Sequence, residues 1–122
     1  MKAYKIFDML FNEKRVFSLF PHVTKKDTWC QLEYKKSEKN IRRDGKGPFC
    51  AFNSIKNAKK FIDDMSKKHD YSLSRYWKIF EIECKKSDEE FIYDFIEHKK
   101  HHNRLAKGTV LVDEFKILKR SD

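Results

Sequence analysis

The chain is poor in the residues that interrupt ordered structure, with two prolines and three glycines among 122 residues. That excludes a linker or low-complexity tract, and residues 1–122 read as a single domain. Cysteine is scarce as well: Cys30, Cys50 and Cys84 are odd in number and widely spaced. Neither a disulfide framework nor a CxxC metal pair fits that spacing, so buried free thiols are expected. No apolar run approaches the roughly 20 residues of a membrane span. The opening Met1-Lys2-Ala3-Tyr4-Lys5 also lacks the apolar stretch of a signal peptide. The expectation is a soluble, cytoplasmic protein with no membrane partner. Enzyme signatures are missing too: there is no Walker loop, GxGxxG, HExxH, GxSxG or Cys-His dyad, and no cofactor is implied.

Aromatic residues and charge are abundant. Aromatics make up 15% of the chain, and 11 of them are phenylalanine, which argues against disorder and supplies the material of a core. The formal net charge is +9, but of 28 basic residues only six are arginine, the better bidentate reader of phosphate. The charge is sorted along the sequence. Residues 35–68 hold eleven Lys/Arg against four acids, whereas residues 81–97 hold seven acids against two lysines. A basic face and an acidic face, each steering one partner, would follow if that order survived folding.

Alternating apolar residues predict strands at Tyr4–Phe7, Arg15–Phe20, Thr28–Tyr34, Pro48–Phe52 and Tyr76–Cys84, with a last strand from Gly108 through Leu118. In that last strand Val110 and Val112 occupy one parity and Phe115 and Ile117 the other, which predicts a bulge near Asp113-Glu114. A helix is expected after an Asn53 or Ser54 cap, burying Ile55, Ala58, Phe61, Ile62 and Met65. Ser87-Asp88-Glu89-Glu90 has the form of a capping box and predicts a second, acidic helix ending near Asn103. The expected class is α+β: a mostly antiparallel sheet of about five to six strands with two amphipathic helices.

Three constellations could carry function. The first is the basic stretch Lys35, Lys36, Lys39, Arg42, Arg43 and Lys46, followed by Lys56, Lys59 and Lys60 on the first helix. Lysines three and four apart share a helical face, and together with the loop they could cradle phosphates of nucleic acid, a nucleotide or a ribonucleoprotein. The acidic helix at residues 88–97 could meet a basic protein surface. In the second, Asp94, His98 and His101 or His102 would share a helical face at metal-ligand spacing, although Lys99 and Lys100 are interleaved and solvated histidines show the same pattern.

The third constellation is Phe52-Asn53-Ser54 before a helix containing Ala58 and Phe61, followed by Glu81-Ile82-Glu83. In this order the chain resembles ADP-ribosyltransferases, which implies an enzyme using Ser54, Glu81 and Glu83. Asn53-Ser54 departs from a Ser-Thr-Ser signature, and alternating acids are also what a half-solvated strand shows. In general character, being short, rich in Lys, Phe and Ile and without an enzyme signature, the whole chain resembles small accessory proteins of bacteriophages and mobile elements. That resemblance implies a counter-defence inhibitor, of anti-CRISPR or nucleotide-sponge type, acting by stoichiometric binding. A non-catalytic binder is the leading expectation and the transferase its alternative.

Overall fold

The structure is a computed structural model, and it describes residues 1–8, 17–18, 38–42, 48–69, 76–89, 92–94, 99–101 and 106–121. In chain order the elements are β1 (Lys2–Asp8), β2 (Phe17–Ser18), β3 (Asn40–Ile41), β4 (Phe49–Phe52), α1 (Ile55–His69), β5 (Trp77–Lys86), β6 (Ile92–Asp94), β7 (Lys99–His101) and β8 (Thr109–Arg120). The strands expected at Tyr4–Phe7, Pro48–Phe52, Tyr76–Cys84 and Gly108–Leu118 correspond to β1, β4, β5 and β8. The expected strand at Thr28–Tyr34 lies outside the described residues.

Four antiparallel strands pair in a cycle. β1 lies along β5 from Lys2–Glu83 to Asp8–Trp77, and β5 lies along β8. β8 continues onto β4 from Val112–Phe49 to Thr109–Phe52, and β4 returns to β1 at Tyr4–Phe52. The sheet thus closes as a small barrel, with β2 added to β1 and β3 to β8. Closure depends on β8, which partners β4 with its first residues and β5 with the rest. Its register against β5 slips twice, passing over Asp113 and over Leu118. An extra residue bends a strand and increases its twist, so the bulges let one strand turn from one partner to the next. The parity change in the sequence had marked the first of them.

Strand alternation then divides the apolar residues between two cores. Ala3 and Phe7, Phe49 and Ala51, Phe80, Ile82 and Cys84, and Val112, Phe115 and Ile117 form the barrel interior. Phe7 and Phe80 meet edge to face at 5.7 Å, as do Phe49 and Phe115 at 4.9 Å. A barrel of four strands has room only for side chains, and Ala3 and Ala51 leave space for the rings. The opposite faces of β1, β4 and β5 present Ile6, Phe52, Trp77 and Ile79, which α1 covers with Ala58, Phe61 and Met65.

The two-helix α+β expectation is overturned. Among the described residues there is one helix, α1, on a mostly β molecule. Where the second helix was expected, Ile92–Asp94 and Lys99–His101 pair antiparallel. The capping box does not act as one: the Ser87 hydroxyl accepts from the amide of Glu89, two residues on, while the Ser87 amide donates to the Leu111 carbonyl at 2.8 Å. Ser87 is therefore held as an extension of the β5–β8 ladder and closes a local turn. The β-branched and aromatic Ile92 and Tyr93 then suit a strand as well as a short helical stripe.

Candidate nucleic-acid interface

The helix that carries the expected lysines is well determined by its own sequence. Ser54 Oγ accepts from the Asn57 amide at 3.1 Å, filling one of the free N–H positions of the first turn, and Asn53 Oδ1 accepts from Asn57 Nδ2 at 2.8 Å. With the apolar stripe on the barrel, the outer surface displays Lys56, Lys59, Lys60, Asp63, Asp64 and Lys67 along a shallow, open depression. Lys60 is engaged with Asp64 at 2.8 Å, which favours its charged form. Lys56, Lys59 and Lys67 are exposed and form no ion pair among the described residues. At about 1.5 Å per residue, the stripe from Lys56 to Lys67 runs about 16 Å.

The basic stretch preceding the helix is used differently from what its composition suggested. Arg42 Nη1 donates to Glu89 Oε2 and to Asp113 Oδ1, each at 3.0 Å, and Nη2 donates to Glu89 Oε1 at 3.2 Å. The Arg42 amide also donates to the Asp113 carbonyl at 2.9 Å. Glu89 first, and Asp113 after it, hold the guanidinium in its charged form more firmly than usual. Arg42 thus fastens β3 to the β8 bulge and to the turn after β5, and its donors face carboxylates. Lys39 lies 3.9 Å from Glu114. Lys35, Lys36, Arg43 and Lys46 lie outside the described residues, and with them the expected convergence of loop and helix; of the expected cluster the structure describes Lys39 and Arg42 in these contacts and Lys56, Lys59 and Lys60 on α1.

The acids of β5 are likewise matched. Glu83 stands opposite Lys2 on one side and Lys116 on the other, and Glu81 opposite Lys119. Lys2 Nζ is 3.9 Å from Glu81, and the Met1 amino group is 2.9 Å from Glu83. The β5 part of the acidic block, Glu81 and Glu83, is therefore interleaved with basic residues once the strands pair. The transferase constellation is spread over other duties: Ser54 caps α1, while Glu81 and Glu83 lie in this charge ladder.

The metal constellation loses its helical premise. Asp94 pairs with Lys99 and His101 with Ile92 in the β6–β7 hairpin. His98 and His102 lie outside the described residues, and no group of three or more His, Cys, Asp or Glu suited to a metal occurs among the described ones. Cys50 and Cys84 are buried free thiols, and Cys30 lies outside the described residues. No helix among those described is long and apolar enough to cross a membrane.

One charged residue that sequence reasoning did not single out is wholly buried. Lys5 shares the inward parity of Ala3 and Phe7, and its Nζ donates to the Cys50 carbonyl at 2.7 Å. The ammonium position lies 5.6 Å from the Phe7 ring and 5.8 Å from the Phe115 ring. Burial lowers the Lys5 pKa to about 8, partly opposed by Cys50, and pushes the Cys50 thiol up to about 12. Compared with known protein families, curated proteins and solved structures, the chain matches none of them.

Proposed function

We propose that the protein is a non-catalytic binding module that takes phosphate groups of a nucleic acid on the outer face of α1. The observation that carries this reading is the contrast in charge pairing: the β5 acids, Arg42 and Lys39 are matched within the fold, whereas Lys56, Lys59 and Lys67 stand exposed on one helical stripe with no ion pair among the described residues. Lysine side chains on a helix can follow a phosphate backbone without reading bases, and their affinity falls steeply with salt. Asp63 within the stripe sets the phosphate contacts towards its two ends. A module of this kind acts by occupancy, as would a stoichiometric inhibitor of the phage counter-defence type that the composition resembles.

The test is charge reversal at exposed positions that do not support the core. Lys56→Glu combined with Lys59→Glu is expected to weaken binding of a labelled mixed-sequence RNA or DNA oligonucleotide by at least roughly tenfold at low salt, with an unchanged unfolding midpoint. Undiminished binding by a folded double variant would refute the reading.

A further inference from the structure

The four seams of the barrel are unequal. β1 pairs with β5 along its whole length and β5 with β8 along most of theirs, but β1 and β4 meet at a single register pair, Tyr4 opposite Phe52. Lys5 reaches across that same seam, from β1 to the Cys50 carbonyl of β4. A side-chain hydrogen bond therefore stands where the other seams have backbone ladder. We propose that β1 and β4 form the opening seam of the barrel, with the Lys5 amine as a titratable clasp that holds it shut when neutral and loosens it when protonated.

The surroundings of the amine dictate the direction. Phe7 from β1 and Phe115 from β8 flank the amine, Phe80 of β5 stands opposite Lys5 in register, and among the described residues no carboxylate is buried. Among the described residues, the titratable groups in the interior or at its seam are the Cys50 and Cys84 thiols, both raised by burial and so uncharged near neutral pH, and the Tyr4 phenol, which lies on the α1 side of β1. α1 packs on the opposite face of the sheet and supplies no charge to the interior. An ammonium here has two aromatic faces and one carbonyl in place of water, whereas an open seam returns it to solvent. A neutral amine still donates to the Cys50 carbonyl. Proton uptake therefore favours opening, and the closed form gains as pH rises from about 8 towards the ordinary lysine value of 10.5.

Residue-resolved amide hydrogen exchange, corrected for intrinsic rates, tests both parts. Tyr4 and Phe52 amides are expected to open more readily than those of Ile82 and Ile117, and their protection to rise on the order of tenfold or more between pH 8 and pH 10. In Lys5→Met, which fills the same space without a titrating group, that rise disappears. Exchange of Tyr4 and Phe52 in step with Ile82 and Ile117 at every pH overturns the seam. The same rise persisting in Lys5→Met overturns the clasp. If Lys5→Met does not fold, the wild-type series decides, because a flat profile at Tyr4 and Phe52 contradicts the proposal by itself.

Discussion

A lysine on a strand whose neighbours two residues either way, Ala3 and Phe7, are both buried must follow them into the interior, because side-chain direction on a strand has a period of two. The consequence for Lys5 is a basic group that folding makes less basic. Between its folded value of about 8 and 10.5 the unfolded chain binds more protons, so stability rises with pH across that window and is flat below it. The gain by pH 10 is about 3 kcal/mol, and Lys5→Met is expected to have it already at pH 7; urea unfolding at pH 7 and pH 10 measures both. Nothing local in Tyr4-Lys5-Ile6-Phe7 says which parity becomes the interior, since both carry apolar residues and both are covered, one by the barrel and one by α1. Arg42 was equally opaque. Its three donations go to carboxylates 47 and 71 residues away, a separation that composition cannot reveal. Arg42→Ala removes those bonds at a half-exposed site and is expected to lower stability by about 1–2 kcal/mol, read as a shifted urea midpoint.

Among the elements, α1 and β8 were legible because their signals are local. The cap at Ser54, the apolar spacing from Ile55 to Met65 and the parity change at Asp113 each depend on residues a few positions apart. Ser54→Ala is expected to cost about 1 kcal/mol. The segment after β5 was misread because its contacts come from outside it: Arg42 holds the Glu89 carboxylate, and the Leu111 carbonyl takes the Ser87 amide that the reciprocal bond of a capping box would use. The turn before β8 shows a second long-range constraint. Gly108 has φ of 83°, its carbonyl accepts from the Asn53 amide, and a Cβ there would lie 2.7 Å from Asn57 Cγ. Gly108→Ala therefore strains the backbone and pushes the Asn53–Asn57 pair away from the helix cap. A loss of about 2 kcal/mol, larger than that of Ser54→Ala, is expected in thermal or urea unfolding.

For the molecule as a whole, charge order in the sequence is a poor guide to charge on the surface. Pairing β5 between β1 and β8 places Lys2, Lys116 and Lys119 against the acids that looked like a separate face, and the Arg42 contacts take up Glu89 and Asp113. What remains of the basic block within the described residues is the stripe of α1. Ring closure itself was not legible: it follows from one strand, β8, serving two partners, which alternation within any single strand does not encode. The barrel anchors the stripe by burying Ala58, Phe61 and Met65 beneath it, so binding there would carry little ordering cost in the backbone. The most direct test is the dependence of oligonucleotide affinity on salt, measured for the wild type and for Lys56→Glu with Lys59→Glu. If the stripe is the interface, log affinity falls linearly with log salt for the wild type, and the slope is shallower in the double variant by about 1.5, or two phosphate contacts. Equal slopes for the two proteins would contradict it.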